Sequence, residues 1–250
     1  MDTSGLWRRR ALLAGGLTLA TGALSACSGV SPPPSSARRT RPEAAAPNPR
    51  PSTPDAAYAR LMEGNRRWVS GNLQHPDRDP TRREQVARTQ EPFGVVLSCI
   101  DSRVAPELLF DTGLGDLYVL RTGGQAVGPV VTGSVEYGPL TSGTPLIFVL
   151  GHQRCGAIDA AYKAARDGTT LPGHLDALSK ALRPAYDLAV KEGGPDPADR
   201  MIRAQITLTA DELRTNTDLA PLVKNGSLGV VGGYYSLDTG AVEVLTGAPV

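Results

Sequence analysis

The chain has 250 residues, with 26 Lys and Arg against 25 Asp and Glu, a formal charge of +1. So even a balance excludes the basic footprint that nucleic-acid binding needs and gives no reason to expect an acidic partner. Aromatic residues are few, glycine (28) and proline (21) are abundant, and the prolines gather before Pro54, which leaves one long remainder with enough aliphatic residues for a single core.

The first segment reads as an address. Arg8-Arg9-Arg10 precede a mildly apolar run from Ala11 to Leu24, shorter than a membrane-spanning helix requires. Arg9-Arg10-Ala11-Leu12-Leu13 resembles a twin-arginine export signal, and Leu24-Ser25-Ala26-Cys27 resembles a bacterial lipobox. Residues 1–27 are therefore expected to be an export signal with Cys27 as the lipidation point; the plainer alternative is a cleaved signal with an incidental cysteine. On this reading the protein belongs to the cell envelope, held at the outer face of the membrane by its lipid alone. Residues 28–54 are rich in Pro, Ser, Ala and Arg and poor in large apolar side chains, so they are expected to form a disordered tether. Arg38, Arg39, Arg41 and Arg50 read there as solvated charge.

Residues 55–250 read as one folded domain. Tyr58, Leu61, Met62, Asn65 and Trp68 recur at helical spacing and predict an amphipathic helix around 55–70, with a short polar helix around Thr81 to Arg88 after a loop. Gly94–Leu97, Leu117–Leu120 and Leu146–Leu150 are uninterrupted apolar runs of the kind buried on both faces of a parallel sheet, and the stretches between them are long enough for crossovers. Met201, Ile202, Ile206 and Leu213 predict a later helix, and Leu228–Tyr235 and Ala241–Leu245 predict two strands around the turn Asp238-Thr239-Gly240. The fold class is α/β, an open and largely parallel sheet flanked by helices.

The chemistry-bearing segments each follow the end of a predicted strand: Cys99-Ile100-Asp101-Ser102-Arg103 and His152-Gln153-Arg154-Cys155. Ligand sites of open α/β sheets form at the carboxyl ends of the strands, so distant segments converge there. His152 and Cys155 have the spacing by which a turn entering a helix aims both at one ion, and Cys99 would arrive from a neighbouring strand. Two thiolates and an imidazole suit zinc, and three protein ligands leave the fourth position to water. A disulfide is the other use for two cysteines in an exported protein, but it gives no role to His152 or to the segment beside Cys99. Asp101 and Arg103, two apart in extended chain, share a face with Cys99 and can pair beside the metal.

Ser98-Cys99-Ile100-Asp101-Ser102-Arg103-Val104 together with Gly151-His152-Gln153-Arg154-Cys155-Gly156 resembles the paired signatures of β-carbonic anhydrases, a likeness extending from about Tyr58 to Leu245. The resemblance implies zinc on Cys99, His152 and Cys155, a catalytic dyad of Asp101 and Arg103, and subunits that pair into homodimers or higher oligomers with the site near the interface. It further implies substrate contacts from Gln90 and the Gly156 backbone, with Tyr118 and Tyr137 lining the pocket. The implied reaction is reversible hydration of carbon dioxide to bicarbonate by hydroxide on zinc. Hydrolysis of carbon disulfide or carbonyl sulfide, and a non-catalytic zinc-binding lipoprotein module, are the alternatives.

The sequence departs from the family in Arg121-Thr122-Gly123-Gly124-Gln125, where relatives often have Arg-Asn-x-Ala/Gly-Asn. Val96 stands where the bicarbonate-regulated subgroup has tryptophan, so the open, water-bearing form of the site is expected at neutral pH. His75 and His174 read as exposed loop residues.

Overall fold

The computed structural model describes residues 49–248. The export signal, Cys27 and the tether as far as residue 48 lie outside the described residues. The last tether residues are part of the fold: Arg50 Nη2 donates to Pro92 O at 3.0 Å and Ser142 O at 3.3 Å, and Pro51 is buried. Arg50 is thus not the solvated charge its composition indicated, because the carbonyls of Pro92, before β1, and of Ser142, at the end of a later helix, need a donor.

α1 spans Pro54–Ser70. The Thr53 side chain caps it by accepting from Ala56 N–H at 3.2 Å, Pro54 opens it, and Gly71 closes it at φ 73°. Its buried side is Ala57, Leu61, Gly64 and Asn65, the helical stripe expected. A Cβ at Gly64 would lie 1.8 Å from Phe110 O, so this crossing exists only with glycine. Asn65 then donates to Leu109 O and Gly240 O and accepts from Val242 N–H, tying the helix to two distant segments.

α2 (Pro80–Val86) precedes β1 (Gly94–Cys99), and α3 (Pro106–Leu109) leads to β2 (Leu117–Thr122). α4 (Pro129–Ser142) crosses back to β3 (Leu146–His152). α5 (Gly156–Asp167), α6 (Leu175–Ala181), α7 (Arg183–Glu192), α8 (Pro197–Thr215) and α9 (Ala220–Lys224) then lead to β4 (Gly229–Tyr235) and β5 (Val242–Thr246). The sheet order is β2-β1-β3-β4-β5, parallel except for β5, which returns antiparallel through the predicted turn.

β1 and β3 are buried along their whole length, which explains their unbroken apolar sequence. Side chains alternate between two cores. Val95, Leu97, Ile147 and Val149 face one that includes Ile158 of α5 and Met201, Ile206 and Leu213 of α8. Val96, Phe148 and Leu150 face the other, with Leu61 of α1 and Leu109 and Phe110 around α3. Val96 is therefore a core residue with no surface to offer. Among the described residues no helix is long and apolar enough to cross a membrane.

Candidate metal centre

Sequence patterning ended the central strands at Leu97 and Leu150, but pairing carries them on. Cys99 lies opposite Thr122 and His152 opposite Tyr235. The ladder even continues one step, with Ile100 N–H donating to Thr122 O at 3.0 Å and Gln153 N–H to Tyr235 O at 2.9 Å. Two of the three expected ligands are thus strand residues whose backbones are fixed by the sheet, and Cys155 caps α5.

The donor atoms of Cys99, His152 and Cys155 all lie within 4.8 Å of one another, and all three residues are buried. The sulfurs are 3.7 Å apart and both cysteines are free. His152 Nδ1–H donates to Gln153 O at 2.9 Å, which leaves the Nε2 lone pair as the acceptor; Nε2 is buried and has no hydrogen-bond partner. A buried acceptor left so costs about 1–3 kcal/mol, and a cation bound between the three donors removes that cost. The S, S, N set is zinc's own choice, so the residues present fit the metal.

Electrostatics agrees. The contact between the Cys155 and Cys99 sulfurs holds the Cys99 pKa well below its ordinary value, against the cost of burial, with the Gly124 N–H at 3.4 Å helping. The same contact, together with burial, pushes Cys155 up. A dication held by Cys99, His152 and Cys155 would supply the charge that favours both sulfurs as thiolates. Gly124 presents its N–H to the sulfur at φ 62°, in the left-handed region that glycine enters freely.

Asp101 and Arg103 form the expected pair. Arg103 Nε donates to Oδ1 at 2.9 Å, Nη2 to Oδ2 at 2.8 Å, and the Arg103 N–H to Oδ1 at 3.0 Å. These bonds, the guanidinium first, hold the Asp101 carboxyl well below the usual carboxylate range. Its Oδ2 stands 3.9 Å from His152 Nε2, so the dyad borders the ligand cluster. Arg121, noted in the sequence only as the start of an atypical segment, clamps this region: Nε donates to Cys99 O at 2.9 Å and Nη2 to Asp101 O. Its register position opposite Ser98, one residue before the ligand, was the missing signal.

Gly156 stays with the site, exposed at the first position of α5, where N–H groups have no intrahelical acceptor. Gln90, Tyr118 and Tyr137 are not brought to the ligands of their own chain. Gln90 is exposed before β1, whose six residues put its entry about 17 Å from Cys99. Tyr118 lies four residues before Thr122, about 13 Å along β2. Tyr137 on α4 packs edge-on against Tyr118, ring centroids 5.8 Å apart, and half of its surface is exposed. Strand direction separates Gln90 and Tyr118 from Cys99, since both precede the strand ends that carry the site, and Tyr137 follows Tyr118 by packing on it. His75 and His174 are exposed, as expected, and His75 Nδ1 lies 3.2 Å from Arg78 Nη1.

Fold and site together define a zinc enzyme built on an open, largely parallel α/β sheet. The profile of the carbonic anhydrase family matches residues 94–242. The chain is 38% identical over 189 residues to carbonic anhydrase 2 of Mycobacterium tuberculosis, covering 76% of this chain and 91% of that protein. With the carbonic anhydrase of Mycolicibacterium smegmatis it shares 37% identity over 194 residues, 77% of this chain and 94% of that one. The solved structure of Coccomyxa β-carbonic anhydrase in complex with acetazolamide matches at a TM-score of 0.58 and 26% identity, over 74% of this chain and 84% of that chain. The β-carbonic anhydrase CcaA shares the fold at a TM-score of 0.61 and 24% identity, over 76% and 95% of the two chains.

The chain belongs to the β-carbonic anhydrase family. It catalyses the reversible hydration of carbon dioxide to bicarbonate and a proton, with zinc as its cofactor.

Proposed function

We propose that Cys99, His152 and Cys155 hold the zinc and that Asp101 and Arg103 manage the proton and the open coordination position. The observation that carries this reading is the convergence of three buried donor atoms, one of them an unpartnered His152 Nε2, beside an aspartate restrained by arginine. Zinc supplies Lewis acidity that brings the pKa of water near neutrality. Arg103 keeps the Asp101 carboxylate turned from the metal position, and the ionised carboxylate offers an acceptor for a proton of the reacting water. Gly156 N–H and the dyad border the place where carbon dioxide is attacked.

A second copy of the chain completes the pocket. Gln90, Tyr118 and Tyr137 lie far from their own ligands, and α4 exposes Val130, Tyr137 and Leu140 on one surface, an apolar face that a homodimer would cover. The twin-arginine-like signal and Cys27 support an exported, lipid-anchored enzyme at the outer face of the membrane, joined to its anchor by the Pro/Ser/Arg-rich tether.

Stopped-flow carbon dioxide hydration on zinc-quantified protein tests the site. Replacing Cys99, His152 or Cys155 by alanine should abolish zinc binding and turnover together, and full zinc occupancy in these variants refutes the ligand assignment. Sedimentation of Tyr137→Glu should show monomers with low activity. Mass spectrometry of membrane-extracted protein should find lipidated Cys27 at the N-terminus, and an unmodified Cys27 in a longer chain rules the anchor out.

A further inference from the structure

Only Gln153 and Arg154 separate the ligands His152 and Cys155, and both are gripped from outside by one carboxylate. Asp238, in the turn between β4 and β5, accepts from Arg154 Nη2 at 2.7 Å, from Arg154 Nη1 at 3.0 Å and from Gln153 Nε2 at 2.9 Å. The gripped segment has an unusual backbone. Arg154 sits at φ 53°, a left-handed conformation that a non-glycine residue adopts only where its surroundings hold it. That conformation turns the chain so that a strand residue and a helix cap, three positions apart, present donors to one point.

Both residues of the segment also supply a carbonyl to the site. Gln153 O accepts from His152 Nδ1–H and so sets the ring's tautomer and tilt, while Arg154 O lies 3.4 Å from Arg103 Nη2 as its acceptor. A shift of this short loop therefore reaches a metal ligand and the dyad at once. Neither end of the Arg154–Asp238 pair is buried, with side-chain exposures of 54% and 58%, so as an ion pair it adds little to stability. Its effect lies in the direction it imposes, because three hydrogen bonds from two adjacent residues to one carboxylate leave the loop little freedom to turn. Arg154, and then Gln153, hold the Asp238 carboxyl down to about 2, so the grip stays ionised through the neutral range.

We propose that Asp238 is a positioning residue for the metal site: by holding Gln153 and Arg154 it fixes the two carbonyls that orient His152 and Arg103. The proposal rests on the reading of Cys99, His152 and Cys155 as the zinc ligands. It goes beyond that reading in assigning a role to the β4–β5 turn, which supplies none of the three donor atoms.

The test compares the full chain with Asp238→Ala, Asp238→Asn, Arg154→Ala and the double variant Asp238→Ala/Arg154→Ala. For Asp238→Ala, kcat should fall about tenfold and zinc should pass to a chelator about tenfold faster, the low end of what disturbing the partner of a metal-ligating histidine causes, since Asp238 acts through Gln153. KM should stay within about twofold and the melting temperature within about 2 °C, because an exposed pair carries little stability. The visible bands of the cobalt(II)-substituted protein should shift, reporting a turned imidazole. Asp238→Asn keeps one oxygen acceptor and should recover part of both kcat and zinc retention, and the double variant should be no worse than Asp238→Ala alone. Unchanged kcat, zinc release and cobalt bands in Asp238→Ala overturn the proposal while leaving the zinc site intact. A loss of kcat that tracks a lowered melting temperature and disappears on cooling also overturns it, by showing support of the fold alone. A wild-type protein that neither retains zinc nor hydrates carbon dioxide overturns the metal site, and the proposal with it.

Discussion

Two aspartate–arginine pairs whose aspartates stand ten residues apart, Asp101 with Arg103 and Asp111 with Arg67, have the same chemistry and nearly the same bond lengths, 2.8 and 2.7 Å. Their surroundings differ. The Asp111 side chain has no exposed surface, accepts the N–H groups of Gln74 and His75 at 2.9 and 3.0 Å, and has Arg78 within 3.7 Å. Three hydrogen bonds and a second guanidinium commit this carboxylate to holding the loop after α1 against the end of α3. Asp101 is partly open, its partner Arg103 is half exposed, and one carboxylate oxygen faces the metal ligands. The comparison teaches that an ion pair's role is set by what else its carboxylate touches: one closes a structure, the other stands open beside the cluster proposed to bind zinc.

The strongest way to break the comparison is Asp111→Asn, which leaves two guanidiniums facing a neutral amide. Removing one partner of a buried pair should cost about 3 kcal/mol, a fall in melting temperature of roughly 6–12 °C for a domain of this size. Zinc content and turnover at low temperature should be normal. The pH dependence follows from the sign of the shift. Burial, the largest influence on Asp111, would raise its pKa, but Arg67 and the two backbone N–H groups more than reverse it, so the folded value is depressed. Its contribution is then complete above about pH 4, the ordinary aspartate value, and is lost as pH falls through the folded value. Chemical denaturation should find the difference between wild type and Asp111→Asn flat from neutral pH down to about 5 and shrinking below about 4.

Arg103→Ala should give the opposite profile. Turnover should fall about 10²-fold, the usual result of losing a group's positioning, while zinc stays bound and the melting temperature moves by less than about 2 °C. X-ray absorption at the zinc edge should report an added carboxylate oxygen as freed Asp101 turns to the metal; an unchanged coordination shell with normal turnover refutes the restraining role. The smallest effect is expected from Lys163→Ala, which breaks the 2.7 Å pair with Asp159 on the exposed side of α5. Denaturation should detect no more than about 0.5 kcal/mol, and a loss of zinc or turnover would show that exposure alone does not separate the idle pairs from the working ones.

Much of this was legible in the residues. The unbroken runs at β1 and β3 announced buried parallel strands, Leu61 and Asn65 marked the inner face of α1, and Asp238-Thr239-Gly240 marked the final turn. The donor set was legible for a chemical reason: cysteine and histidine carry their ligand chemistry wherever they stand, and the three-residue step from His152 to Cys155 limits them to one turn. Arg50 and Arg121 were not legible, because an arginine reads as solvated charge until the carbonyls it will bind are in place. Nothing in the sequence linked Asp238 to Arg154, which lies 84 residues away.

By itself, then, the sequence marked out the candidate donor set Cys99, His152 and Cys155, the Asp101–Arg103 pair and the kinds of element that carry them, since these are properties of side chains and of local periodicity. Only the tertiary structure decided which end of the sheet each residue occupies. The parallel strands set Cys99 and His152 at the carboxyl ends of neighbours in the sheet and Gln90 and Tyr118 toward the other end, helix packing put Tyr137 beside Tyr118, and the β4–β5 turn came onto the loop between His152 and Cys155. The reason is physical: a strand advances about 3.3 Å per residue, so a few positions of register separate groups that share a motif and join groups that share nothing in sequence.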